Sequence, residues 1–329
     1  MKGEKAPSGR QIRRKDGKIM RHYRTIAILI LVLLLAVTGV SCSNGGSGQT
    51  DKTPENGSET PDAGPTEEPT AEPKGFELHF IDVGTGDGML LICDGEAMII
   101  DSGNVGHGET MVNYAKAQGV ESLKYLMVTH GHADHVGGMP EIIEAFPFET
   151  MFLYDVPCDE EPYQRLLGII EERKITPVHP EIGSEWKLGG GSFLVIGPFK
   201  YDSSNLNNNS ICIKFTYGDN TFLLCGDAQS SLESQLLKGE YDLKADVFKA
   251  DHHASSAGCG KKMLEAVSPS IICVQVGSEN KLGYPDGTTI KRLEKTGAEV
   301  YRNDTHGTIV IKSDGTTISV TTEKTPSAE

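Results

Sequence analysis

The chain lacks cysteine pairs, dense basic blocks beyond its first residues, and short repeats. None of its seven cysteines forms a CxxC pair, which excludes a cysteine-rich zinc knuckle. Six of them (93, 158, 212, 225, 259 and 273) fall in residues 75–329, most in apolar runs such as "LLICDG" and "FLLCGD". There a thiol serves as a small hydrophobe, so free thiols are expected, even for Cys212 and Cys225, which flank a hairpin. In the same 75–329 segment 20 Lys and Arg face 37 Asp and Glu, a net −17. Proteins that grip long nucleic acid without sequence preference place Lys and Arg on its phosphates. Tight DNA binding is therefore not expected, and a phosphate would be held locally, mainly by metal. Residues 43–74 hold no large apolar side chain and are rich in Gly, Ser, Thr, Pro and Glu. They cannot bury enough surface to fold and read as an extended linker.

One long apolar run is present. "TIAILILVLLLAVTGVS", Thr25 to Ser41, follows a 24-residue stretch with nine Lys or Arg against Glu4 and Asp16. It is shorter than the roughly 20 residues of a spanning helix, and its basic and apolar regions fit a secretory signal. Cys42, directly after Gly39-Val40-Ser41, resembles the lipidated cysteine of bacterial lipoproteins, although Gly39 stands where an aliphatic residue is usual. Residues 1–42 are thus a signal peptide or membrane anchor. Either form puts the domain of residues 75–329 outside the cytoplasmic membrane, attached by lipid or anchor.

Within that domain strand-like runs outnumber helical patterns roughly two to one. Helices are expected near 108–118, 139–145, 162–173, 230–238, 261–267 and 288–296. Early strands follow one another with no helix between, which argues for two mixed sheets with outer helices, not a doubly wound sheet. "IDVGTGDG", residues 81–88, superficially matches a dinucleotide-binding loop. That loop needs a helix directly after it, but the strand-like "MLLICD" follows, so a hairpin turn is expected.

"THGHADHVGG" carries the chemistry. His130 and His132 leave a strand two residues apart and can converge on one ion; Asp134 and His135 follow as the chain turns into a helix. Imidazole with carboxylate is the donor set of Zn²⁺, Mn²⁺ or Fe²⁺ sites. Further ligands are sought where apolar runs end in a polar residue. Asp101 ends "AMIID", Asp227 ends "TFLLCGD", and His252 and His253 end "ADVFKADHH". His79, His107 and His179 have no such context and read as structural or surface residues.

The order "IIDSG", "THGHADHVGG", "LLCGD", "KADHH" resembles the metallo-β-lactamase superfamily. "FIDVGTGDGMLL", "NNNSICIKFTYGDNTFLLCGD", "ADVFKADHHASS", "NKLGYPD" and "EVYRNDTHGTIVI" resemble the extracytoplasmic domain of ComEC-type DNA-uptake proteins and their stand-alone relatives. The resemblance, over about residues 76–320, implies an α+β fold, a four-layer αββα sandwich, and two divalent ions, zinc or manganese. It implies His130 and His132 for the first ion, Asp134, His135 and His252 for the second, and Asp227 as the bridge. Asp101 supports the ligands from behind, and Asp134 and Asp227 are the catalytic carboxylates. A third first-site histidine, found in many members, is replaced by Asn207 to Ser210, which makes Mn²⁺ plausible beside Zn²⁺. Tyr284 stands where the family carries a histidine in a Gly-His-Pro segment. Asn208, Ser255, Tyr284 and His306 are candidates for substrate contact.

The expected activity is metal-dependent hydrolysis of a phosphodiester, as a nuclease or phosphodiesterase, with hydroxide held between the ions. The substrate partner is DNA or a small ester, the membrane is met through the N-terminus, and no stable protein partner is expected. The alternatives are a small-ester hydrolase, such as a phosphocholine esterase of wall polymers, and a surface lipoprotein that only binds. Lactam or lactone hydrolysis is disfavoured by the missing histidine. If lipid on Cys42 is the anchor, Cys42→Ala moves the protein out of the membrane fraction. Unchanged membrane retention, read by fractionation and immunoblot, identifies the apolar run as the anchor instead.

Overall fold

The computed structural model describes residues 75–154 and 156–325. Cys42, the segment 1–42 and the linker 43–74 lie outside the described residues. Fourteen strands are described, and they form two seven-stranded sheets. The first has the order β14 (Ile318–Thr322), β13 (Ile309–Ser313), β1 (Phe76–Phe80), β2 (Met89–Cys93), β3 (Glu96–Ile100), β4 (Leu123–Val128), β5 (Phe148–Leu153). The second runs β12 (Glu299–Arg302), β11 (Ile271–Val274), β10 (Val247–Lys249), β9 (Asn220–Leu224), β8 (Cys212–Tyr217), β7 (Gly191–Gly197), β6 (Glu185–Leu188). Each sheet is antiparallel on one side and parallel on the other. β3 pairs in parallel with β4, and β9 with β10.

Side-chain alternation turns these sheets into layers. Met89 and Leu91 face the other sheet, while Leu90 faces the helices; Phe222 and Leu224 face inward, and Leu223 outward. Helices α1 (Gly108–Ala117), α3 (Met139–Ala145) and α4 (Glu161–Glu172) supply Met111, Ile142 and Leu166 to the outer core of the first sheet. Helices α5 (Ser230–Leu236), α6 (Lys261–Val267) and α7 (Gly287–Glu294) supply Leu232, Met263 and Leu293 to that of the second. Two single turns, α2 (Ala133–Val136) and α8 (Asn303–His306), complete the set. Three apolar cores between four layers make the αββα sandwich.

The helices fall where the apolar periodicity put them. β6 and β12 are the edges of the second sheet. Both are short and only partly buried ("EWKL", "EVYR"), so they carry little of the alternating apolar signal that marks a strand. Residues 81–88 connect the antiparallel pair β1 and β2 with no helix after them. Among the described residues all six cysteines are free and buried, and no helix is long and apolar enough to cross a membrane.

Between the sheets, Phe76 of β1 stacks on Phe215 of β8 (centroids 4.3 Å apart, planes at 17°) and meets Phe222 of β9 edge-on at 4.7 Å. All three rings are fully buried. Phe215→Ala leaves a cavity at this contact and lowers unfolding free energy by about 3–5 kcal/mol. Denaturant titration checks it; a loss below 1 kcal/mol, roughly that of a surface change, shows the sheets are held elsewhere.

Candidate metal centre

The parallel strands set the site. Because β3 and β4 point the same way, as do β9 and β10, their C-terminal ends fall on one edge of the sandwich. Asp101 follows β3, residues 129–135 follow β4, Asp227 follows β9, and residues 251–254 follow β10.

Asp227 is the hub. Its Oδ2 lies 3.3 Å from Nε2 of both His135 and His253, 3.6 Å from His252 Nε2 and 4.0 Å from His130 Nε2. The backbone N–H of Asp227 donates to Ser210 Oγ at 3.1 Å, and the same oxygen is 3.3 Å from His130 Nδ1. Thus Ser210, from the asparagine-rich segment, ties the two sheets' ligands together.

Two rings are aimed from behind. His135 donates its Nδ1–H to Asp101 Oδ2 at 2.8 Å, and Asp101 in turn accepts from the Thr129 backbone N–H (2.8 Å) and hydroxyl (2.6 Å). His253 donates its Nδ1–H to the Gln275 carbonyl at 2.9 Å. Such bonds fix the tautomer and leave Nε2 as the donor atom for a metal. His253 Nε2 faces Asp134 Oδ2 at 3.4 Å, and His135 Nε2 is 3.8 Å from Asp134 Oδ1. Neither Nε2 has a hydrogen-bond partner among the described residues.

Four triplets bring their donor atoms within 4.8 Å of one another in this pocket: His130, His135 and Asp227; Asp134, His135 and His253; Asp87, Asp227 and His253; and Asp87, Asp101 and His135. His132 stands beside the first, with Nδ1 2.9 Å from His130 Nε2 and Nε2 3.8 Å from Glu160 Oε1. It joins none of the triplets.

Sequence reasoning passes over two residues here. Asp87 and Lys249 are both fully buried, with Nζ 2.7 Å from Asp87 Oδ2 and 3.9 Å from Asp227 Oδ1. Lys249 Nζ also donates to the carbonyls of Gly226 (2.9 Å) and Ala250 (3.2 Å). The signals existed: a carboxylate between glycines before an apolar strand, and a lone charge inside "VFKA". His253 is named from the sequence as a strand-end residue, but the ligand role falls there to His252. Residues 252 and 253 are both left-handed (φ 49° and 52°), so strand alternation does not decide which of them points inward. His253 takes the place beside Asp134 that the resemblance gives to His252. His252 instead has polar partners on both nitrogens: Ser255 Oγ (2.8 Å) and Gln229 Nε2 (3.1 Å) at Nδ1, Tyr284 Oη (3.3 Å) and Asn207 Nδ2 (3.5 Å) at Nε2.

The substrate-contact candidates divide likewise. Ser255 and Tyr284 touch His252, and the Tyr284 ring lies over His253 (5.9 Å, 24°). Asn208 instead braces the start of α5. Its Oδ1 accepts from the N–H groups of Gln229 and Leu232 at 3.3 Å, and its Nδ2 donates to Asp202. Its neighbour Asn207 is the one that approaches the cluster. The side-chain partners of His306 are Arg302, Thr305 and Tyr301, none of them a member of the site.

The β1–β2 loop closes the centre from the other side. The Asp87 N–H donates to the Asp134 carbonyl at 3.1 Å, and Gly86 (φ +141°) passes so close that a Cβ there would stand 2.3 Å from that oxygen. Only glycine fits this approach.

Electrostatics explain what the cluster requires. Four carboxylates, Asp87, Asp101, Asp134 and Asp227, face the single ammonium of Lys249. Burial would strip protons from the imidazoles, yet Asp227 and Asp134 push His253 up to about 10. Burial likewise opposes, and Asp227, Asp134 and Asp101 outweigh it, to hold His135 well above its ordinary value. Asp227, despite burial, is held well below the carboxylate range by His253 and His135. Burial holds His130 and His252 below their ordinary value, so the demand for positive charge falls on His135 and His253, beside the carboxylates. Ligands that share a tetrahedral ion at about 2.1 Å stand about 3.4 Å apart, close to the 3.3 Å from Asp227 Oδ2 to Nε2 of His135 and of His253. The donor set, the spacing and the two bare Nε2 atoms all fit divalent ions.

The fold and these ligands define a class, and comparison with known proteins agrees with it. The chain belongs to the metallo-beta-lactamase superfamily, whose family model matches residues 82–274. It is 22% identical over 251 residues to ComE operon protein 3 of Bacillus subtilis, covering 71% of this chain and 32% of that protein. It is 24% identical over 225 residues to Recombination protein 2 of Haemophilus influenzae, covering 67% and 26%. The chain thus spans about a third or less of these relatives. Among solved structures, a variant of the CmlA β-hydroxylase superposes with a TM-score of 0.50 at 15% identity, covering 75% of this chain and 55% of that one, a likeness of fold alone.

Protein grown with ample metal is expected to carry about two divalent ions per chain. Asp227→Ala loses most of both, and Asp101→Ala weakens retention about 10- to 100-fold. His253→Ala drops the content toward one ion, while His252→Ala holds near two. Elemental analysis decides, and equal losses for the two histidine variants contradict the geometry above.

Proposed function

We propose that the protein is a phosphodiesterase held outside the cytoplasmic membrane by its N-terminal segment. The observation that carries this is the concentration of buried carboxylate around Asp227 Oδ2, answered within the protein by one lysine. Such a site takes up two divalent cations. When bound, the ions supply a water ionised near neutral pH and neutralise charge on the attacked phosphorus. The relatives add support, since one carries recombination in its name.

The chain's own residues then divide the work. Asp134 has its side chain 20% exposed, against 2% or less for Asp87, Asp101 and Asp227. It is the carboxylate that an incoming water reaches, and Asp134 Oδ1 accepts that water's hydrogen and orients it. Tyr284, half-buried beside His252, keeps its proton because burial, then Asp227 and Asp134, push its hydroxyl up. It donates to a phosphoryl or leaving-group oxygen. Asn207 Nδ2 and Ser255 Oγ hold the His252 ring beside the Tyr284 hydroxyl. Asp227, with four imidazoles around one oxygen, keeps the two halves of the site in register.

Asp134→Asn keeps the shape and removes the acceptor. Turnover of bis-p-nitrophenyl phosphate is expected to fall by about 10²–10⁴-fold with the metal content measured alongside. Diesterase activity that survives in a pure, metal-depleted Asp134→Asn sample places the chemistry elsewhere.

A further inference from the structure

A second site lies one helix away. Helices α6 and α7 run along the outer face of the second sheet, and the groove between them has a volume of about 760 Å³. Lys261 and Glu265 line it from α6, with Leu264 at its floor; Lys291, Arg292 and Lys295 line it from α7 and the residue after it. Four cations against one carboxylate make it locally +3, within a segment of net −17. Lys261, Lys291 and Lys295 are exposed, and Lys261 Nζ is 3.5 Å from Glu265 Oε1. The distant acidic charge does not cancel this patch. At physiological salt the screening length is about 8 Å, so a ligand in the groove feels the nearby ammonium groups first.

The groove is also coupled to the metal centre. Arg292 donates from one Nη to the carbonyls of Gly258 (3.3 Å) and Cys259 (2.9 Å), which follow the turn that carries His252 and His253. Thr289 Oγ1 donates to the Ser255 carbonyl at 3.0 Å, and the Asp286 N–H to that of Ala254 at 2.9 Å. The eight residues of α7, about 12 Å long, therefore begin beside Tyr284 and end in the groove.

We infer that this groove is an exosite for the phosphate backbone of a single-stranded nucleic acid, part of which occupies the metal centre. The choice of occupant rests on the phosphodiesterase assignment; the cationic groove does not. Three lysines and one arginine around the groove offer several cations to a phosphate backbone, and its apolar lining, Leu264 and Pro269, holds no aromatic platform. Binding is thus electrostatic and weakly selective for base, and its strength falls with salt.

The test uses the metal-loaded, detergent-solubilised full chain and fluorescein-labelled oligothymidylate. Lys291→Glu/Lys295→Glu is expected to weaken binding at least about tenfold, and Lys291→Gln/Lys295→Gln to lower the log–log salt slope by about 1.4, or 0.7 per phosphate contact. Turnover of bis-p-nitrophenyl phosphate stays at the wild-type level in both, which also reports that the variants fold. Unchanged oligonucleotide affinity overturns the exosite. So does binding of wild type to phosphatidylglycerol vesicles that the substitutions abolish while oligonucleotide affinity stays intact, which makes the groove a membrane contact. Groove-dependent binding with no diester turnover by wild type leaves the exosite standing and removes the hydrolase assignment.

Discussion

A single carboxylate oxygen, Asp227 Oδ2, sits within 4.0 Å of four imidazole nitrogens, and the molecule is arranged around that crowding. Carboxylates in a buried pocket are tolerable only when positive charge is supplied at close range. Lys249 supplies one charge permanently. The rest must come from protons or from ions, and the structure prepares for ions by holding the other nitrogen of His135 and His253 on a fixed acceptor. Asp101 and the Gln275 carbonyl are those acceptors, so the donor atoms stand ready before any ion arrives.

That preparation explains the architecture better than stability does. Two mixed sheets are needed because the ligands come from both, and because parallel pairing of β3 with β4 and β9 with β10 brings four strand ends to one edge. The loop at 81–88 then has to pass within van der Waals distance of the Asp134 carbonyl, which is why glycine stands at position 86.

Much of this was legible in the sequence. Helix positions followed from apolar spacing, and the HxHxDH run and the strand-end Asp101 and Asp227 were visible because a charged residue ending an apolar run is unusual. What was not legible depends on backbone turns and on contacts across the chain. No local pattern tells His252 from His253 when both adopt a left-handed backbone. Asn207 and Asn208 are adjacent and chemically alike, and only the position of α5 turns Asn208 toward Gln229 and Leu232. Asp87 and Lys249 lie 162 residues apart and make sense only as a pair. Edge strands β6 and β12 were hidden for a simpler reason: they have little apolar surface to announce them.

Gln275 has one more consequence. Its carbonyl holds the His253 ring, and its side-chain Nε2 donates to the carbonyls of Ile81 (3.3 Å) and Gly88 (3.0 Å) at the two ends of the β1–β2 loop. One residue of the second sheet therefore clasps the loop of the first while setting the tautomer of a ligand. A shift of the sheets against each other by a fraction of an ångström would pull on this strut and rotate the imidazole away. The centre thus acts as a gauge of interior alignment, and substitutions deep between the sheets, far from any ligand, would be felt first as weakened hold on the ions.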